Sequence, residues 1–259
     1  MASYFKNIIT ITTFLILLNS LNAYPEDIFP GRFGIGVKVE NDAQHYKQFD
    51  NDAYILVFPQ YRGEKLNMNY NSLSYSVIKT GEYNFELLGK SLYYGYENSD
   101  SPRLEGMKDR DASIEAGARA SLKTDYGLLS LHALTDMLRN HNGQEVELRF
   151  GGLFYADKWR GRQEFNVGLF GGMRWQSKDM VDYYYGVNKS EVRNDRKEYH
   201  AGSAVIPFAG VQLNSWFSEH ISVDGELKYE RFPDSITNSP LTSASKNEIK
   251  AIIGLTYWF

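Results

Sequence analysis

The 259-residue chain contains no cysteine, so it carries neither disulfides nor thiol chemistry. It has only 7 prolines, few enough for long strands to run unbroken. Beyond residue 23 no stretch reaches the ~18 apolar residues that a spanning helix needs, so any membrane crossing there has to use strands. An excess of basic charge is also missing. The formal net charge is −4, and nucleic acid is not expected as a partner. There is no HExxH, EF-hand or Gly-rich phosphate loop, so no tightly held metal or nucleotide cofactor is predicted.

What is present begins with a secretory pattern. Lys6 is the only charge before Glu26, and an apolar run from Ile8 to Leu18 leads to a small-residue exit at Asn22-Ala23. Residues 1–23 therefore read as a cleaved signal peptide, with a retained anchor helix as the alternative. Without that segment, 27 of the 28 basic side chains remain against 32 acidic ones, a net of −5. Residues 24–259 read as one domain, a size common for a single β-barrel. The composition, 15% aromatic with 22 glycines, fits a β-barrel or a soluble β-sandwich equally well.

Alternation separates the two. At the C-terminus Ile249, Ala251, Ile253, Leu255, Tyr257 and Phe259 fall on one face of an extended strand, and Glu248, Lys250, Ile252, Gly254, Thr256 and Trp258 fall on the other. Residues 114–122, 146–154, 165–175, 221–231 and 33–39 repeat the pattern. Apolar faces alternating with faces rich in glycine and mixed charge, over about ten residues and between short turns, mark a transmembrane barrel with its charges inward. A lipocalin-like barrel would reverse the two faces. Aromatics also gather at strand ends, as at Tyr93-Tyr94, Phe154-Tyr155, Trp175, Trp216-Phe217 and 257–259, which suits interfacial girdles.

Candidate strands are 32–40, 53–61, 65–70, 73–79, 83–96, 112–123, 127–137, 144–155, 162–175, 203–215, 220–231 and 247–259. The predicted fold is an antiparallel up-and-down barrel of about twelve strands, with ten as the alternative if the segments around Asn71-Ser72 behave differently. Turns at 62–64, 79–83, 124–126, 156–161 and 217–220 would face the periplasm. The longer connections 97–111, 138–143, 176–202 and 232–246 would face outward. Pro207, inside a candidate strand, predicts a bulge or an irregular hydrogen bond there.

Three constellations stand out. The first is the basic aromatic turn Lys158-Trp159-Arg160, either a partner contact on the periplasmic side or a girdle anchor. The second is Tyr183-Tyr184-Tyr185-Gly186 with Glu191 in the longest outer loop. Its tyrosines are rigid anchors for a ligand or packing over the barrel mouth. The third is the inward charge of Glu115, Arg119, Glu147, Arg149, Arg174, Asp224, Glu226 and Lys228. It predicts either a narrow selective channel or a lumen filled by paired charges. His132 and Asp136 share one inward face, with His141-Asn142 in the following loop. A base is conceivable there, but no nucleophile motif accompanies it, and no enzyme is predicted.

In order along the chain, Met107-Lys-Asp-Arg-Asp-Ala-Ser-Ile-Glu115, Gly143-Gln-Glu-Val146, Asp182-Tyr-Tyr-Tyr-Gly-Val187 with Glu191, Tyr199-His-Ala-Gly202, Asp234-Ser-Ile-Thr-Asn-Ser-Pro-Leu241 and Gly254-Leu-Thr-Tyr-Trp-Phe259 resemble the outer-membrane family of MltA-interacting protein and OmpV. The resemblance spans nearly all of residues 24–259. It implies an outer-membrane barrel and, for the best-described member, a non-catalytic scaffold that joins a lytic transglycosylase to a penicillin-binding protein. It also implies contact with outer-membrane lipid and lipopolysaccharide. Other members are linked to adhesion, osmotic response and antibiotic entry, so a porin-like channel and a surface adhesin stand as the competing expectations.

Overall fold

A computed structural model of the chain describes residues 31–41, 46, 53–92, 95–159, 162–243 and 245–259. The predicted signal peptide, the stretch 24–30, Tyr93, Tyr94, Arg160 and Gly161 lie outside the described residues.

The strands are β1 (Gly31–Asn41), β2 (Ala53–Gly63), β3 (Leu66–Met68), β4 (Ser72–Lys79), β5 (Tyr83–Leu92) and β6 (Ser113–Thr124). They continue as β7 (Gly127–Asp136), β8 (Gln144–Trp159), β9 (Arg162–Gln176), β10 (Ala204–Trp216), β11 (Ile221–Arg231) and β12 (Asn247–Trp258). They lie side by side in chain order, and β12 pairs antiparallel with β1 from Gly34↔Trp258 to Glu40↔Ile252, which closes a barrel of twelve strands. Closure leaves the ring without a free outer edge strand.

The alternation sets which side faces where. Leu131, Leu148, Leu227, Ile253 and Leu255 point out and are exposed, while Glu115, Arg174 and Glu230 point in and are buried. An apolar outside around a charged inside is the reverse of a soluble barrel, and it matches a lipid surround.

Several boundaries differ from the sequence expectation. The described part of β5 ends at Leu92, Tyr96 forms an isolated bridge with Arg110, and β8 runs on to Trp159. Lys158 pairs with Gln163 and Trp159 with Arg162, so the predicted turn at 156–161 is strand up to Trp159. β3 has three residues, because the Asn69 side chain accepts from the Asn71 and Ser72 backbone amides and folds the chain back at once. Of the two outcomes expected at Pro207, the bulge is not there: Pro207 pairs with Met173 without a register shift. The β10–β11 ladder starts one residue later at Phe208↔Glu230, so on that side a missing N–H forfeits no ladder bond. Register shifts occur instead at Ser76/Ile78, Leu153/Tyr155 and Asp157/Lys158.

The loops at the rim opposite the short turns fold into a cap. Helix α1 (Lys178–Tyr185) is started by Ser177, whose side chain accepts from the Met180 backbone amide. It buries Met180, Val181, Tyr184 and Tyr185. A short helix α2 (Asp234–Thr237) buries Ile236. With Leu104, Met107 and Leu241 from the loops and Ile206 and Phe232 from strand ends, these side chains form one apolar cluster over the barrel mouth.

Candidate functional site

Beneath the cap the lumen is filled by ionic side chains that the strand register stacks in rows. Glu86 faces Arg119, Arg119 faces His132, His132 faces Glu147 and Glu147 faces Arg174 across successive strands. Glu145 sits at the centre: Lys90 Nζ lies 2.8 Å from it, His132 Nε2 3.2 Å, and Arg174 Nε 3.8 Å. Arg174 continues to Glu230 at 2.7 Å, Glu230 takes Lys228 at 3.3 Å and Lys250 at 3.7 Å, and Lys250 reaches Glu248 at 3.3 Å. Glu145 and Glu230 are fully buried. Charges removed from water are tolerable only when paired as here.

Of the lumen charges expected from sequence, Arg174 and Glu147 belong to this layer together with Lys228. Arg119 pairs with Glu86 at 2.6 Å, off to one side. Arg149, Glu226 and Asp224 lie nearer the short turns, where Arg149 Nη2 meets Glu226 at 3.4 Å and Asn214 donates to Asp224 at 2.5 Å. The sequence reading missed Glu145, although it shares the parity of Glu147 and Arg149 and so falls on the same face of β8. Extending the β8 alternation by one step would have found it. His132, Glu145 and Glu147 bring ligand atoms within 4.8 Å of one another, but Lys90 and Arg174 already neutralise the carboxylates.

Glu115 lies fully buried where this layer meets the cap, with His141 Nε2 at 3.6 Å. His141 Nδ1 accepts from the Gly143 amide at 3.0 Å, which leaves the proton of the neutral ring on Nε2, toward Glu115. Burial holds the His141 pKa below its ordinary value, against the pull of Asp136 and Glu145. Asp136 accepts from Ser113 Oγ at 2.5 Å and from the amides of Leu138, Arg139, His141 and Asn142. Serine thus donates to aspartate rather than to histidine, and His132 turns to Glu145 instead of Asp136. The group positions a loop; it does not present a base to a nucleophile.

The tyrosine motif is part of the cap. Tyr184 and Tyr185 are buried, Tyr184 OH donates to the Asp111 carbonyl at 3.2 Å, and Tyr183 OH accepts from the Asp111 amide at 3.0 Å. The Gly186 amide donates to the Asp182 carbonyl at 2.8 Å and ends α1. Glu191, only 2% exposed, accepts from Lys108 and Asn188 amides at 2.9 Å and from Arg110 Nη2 at 3.1 Å. Burial opposes its charge, but these donors and Arg110 outweigh it and hold the carboxyl below the usual glutamate range.

Below the ionic layer, toward the short turns, is a cavity of about 850 Å³. Arg149, Gln212 and Glu226 line it near the layer, while Lys123, Asp125 and Arg62 line it at the turn rim. There Trp216 and Trp258 stack at 5.9 Å, and the Arg62 guanidinium lies 5.0 Å from the Trp258 ring. The sequence reading assigned Trp216 to the lipid girdle; the structure turns it inward instead. Lys158 and Trp159 are strand residues near this rim, and Arg160 lies outside the described residues.

Comparison with known proteins adds four findings. The family model for MltA-interacting protein MipA matches residues 33–259. The MltA-interacting protein of Escherichia coli (strain K12) is 26% identical over 232 residues, covering 88% of this chain and 91% of that one. Outer membrane protein Omp26La of Vibrio anguillarum is 26% identical over 206 residues, covering 77% and 76%. Among solved structures, a bacterial polysaccharide outer membrane secretin aligns with 88% of this chain and 98% of its own, at 10% identity and a TM-score of 0.41.

Proposed function

The chain belongs to the MltA-interacting protein MipA family and is a barrel of the bacterial outer membrane, and from that premise we propose that it acts as a non-enzymatic adaptor for murein enzymes. Its periplasmic rim would hold a lytic transglycosylase and a penicillin-binding protein near each other, while its outer surface meets lipid and lipopolysaccharide. The observation that carries this reading is the closed outer mouth. Among the described residues, an apolar cap over a layer of paired charges leaves the lumen open only toward the turn rim and its cavity. A relative's printed name, MltA-interacting protein, points to the same side. Lys158, Trp159 and Arg160 supply a basic aromatic contact of the kind that anchors interfaces.

In-cell crosslinking, affinity capture of the tagged barrel and mass spectrometry test the proposal. A transglycosylase or penicillin-binding protein should be recovered with the native chain. Recovery should fall when Trp159 and Arg160 are both replaced by alanine, with barrel folding retained. Capture of assembly machinery and lipopolysaccharide alone would sink the adaptor reading.

A further inference from the structure

We infer that the turn-side cavity is a binding site for an acidic, amide-bearing carbohydrate that enters from the periplasm. The inference rests on the reading that the periplasmic end is the working end, and it adds a small ligand to that end.

Size is the first argument. About 850 Å³ falls within the ~300–1,000 Å³ of small-ligand sites. The chemistry of the wall is the second. Gln60, Asn69, Asn166, Gln212 and Asn214 all line the cavity. Gln60 and Asn214 donate to Thr256 and Asp224, while the Asn69 and Gln212 oxygens accept from neighbours. Between them the set keeps both donors and acceptors, as hydroxyl and acetamido groups require. Asn166 lines the wall through its other atoms, since its Oδ1 is buried, with no hydrogen-bond partner among the described residues. The inward glycines Gly168 and Gly254 keep the wall flat there.

Charge fixes the class further. The carboxylates of Asp224 and Glu226 are engaged by Asn214 and Arg149. Arg62 and Lys123, at the mouth, have no carboxylate within 4.0 Å among the described residues; Arg62 instead lies over Trp258 at 5.0 Å and Trp216 at 5.7 Å. Asp125 stands at the same rim, so the cations there outnumber the carboxylate by one, and a carboxylate on the ligand would meet a guanidinium held in place by two rings. An extended acidic peptide fits less well. It binds by adding to a strand edge, and the wall from β9 to β12 is paired on both sides of each inner strand.

The probe is the murein disaccharide N-acetylglucosaminyl-N-acetylmuramic acid, with chitobiose as its counterpart lacking the carboxylate. Each is titrated by calorimetry and tryptophan fluorescence into the barrel purified from outer membranes. The acidic sugar should saturate a single site, and chitobiose should bind at least tenfold more weakly. Arg62→Gln should remove most of that difference. Gly254→Phe should abolish binding by filling the cavity. A Cβ at position 254 meets Lys38 Cβ at 3.7 Å and nothing nearer, so the barrel should still form, as heat-modifiable migration would verify. Failure of the folded native barrel to bind, or equal binding by the Gly254→Phe variant, overturns the inference. So does a preference for an acidic peptide over the sugar. Sugar binding with no captured murein enzyme would sink the adaptor proposal alone; capture with no sugar binding would sink this one alone.

Discussion

Glu191 shows how much a single carboxylate carries in the cap. It ties loop 107–110 to the segment after α1 through two backbone amides and the Arg110 guanidinium, itself 6% exposed. Replacing it by glutamine leaves Arg110 buried without its counter-charge, a loss of about 3–5 kcal/mol in such pairs. The expected outcome for Glu191→Gln is a cap that opens more often. Protease cleavage within 186–202, which follows the open population, should quicken by more than about a hundredfold while the barrel keeps its heat-resistant migration. Unchanged cleavage would show that the pair is not a latch. The pH dependence has a definite sign. A carboxyl held below its ordinary range stabilises the cap fully above that range and loses the contribution as pH falls through it. His141, held neutral by burial, acts in the same direction, because protonation there penalises the closed state. Native-chain cleavage in 186–202 should therefore begin to accelerate below about pH 6.5, the ordinary histidine value, and steepen below about pH 4.3, the ordinary glutamate value. From sequence, Glu191 could be singled out by resemblance to the family, but its partner Arg110 lies 81 positions away and no local pattern joins them.

At the scale of elements, the strands were legible because lipid outside and charge inside force a period of two along every one of them. A lipid-facing position in mid-strand makes this testable. Leu131, 47% exposed on the outer face of β7, is flanked in sequence by inward Ser130 and His132. Leu131→Lys should cost about 2–4 kcal/mol, as cations do on the lipid face near the bilayer centre, read from urea unfolding of barrels refolded into vesicles. Ser130→Lys, facing the cavity, should cost far less. Equal costs would contradict the assignment of faces. Irregular elements were less legible. α1 went unrecognised because its buried tyrosines suited a ligand-binding loop as well as a helix. The usable signal was Ser177 as a cap followed by apolar residues at 180, 181, 184 and 185. At Pro207 sequence could not choose between a bulge and an irregular hydrogen bond, because it does not reveal where one ladder ends, and the proline stands just outside it.

For the whole molecule, the decisive feature is two seals in series, the apolar cap and the ionic layer beneath it. The inward charges were legible, with a filled lumen as one of their two readings. Which of them pair, and that a cap lies above them, was not, since each seal joins residues from distant strands and loops. Serial seals make a specific, non-additive prediction for conduction. The native barrel should give no unitary current in planar bilayers at neutral pH. Glu191→Gln alone should stay silent, because Lys90, Glu145, Arg174 and Glu230 still fill the lumen. Replacing Arg174 and Glu230 together by alanine removes one pair, and Lys90 still neutralises Glu145, so this change opens the layer without stranding that charge. It should also stay silent beneath an intact cap. Only the combination of all three changes should conduct, through the turn-side cavity of about 850 Å³. Current from the native chain at neutral pH would establish the channel reading over the adaptor. Current from either partial variant would show that the lumen has one seal, and would identify which layer provides it.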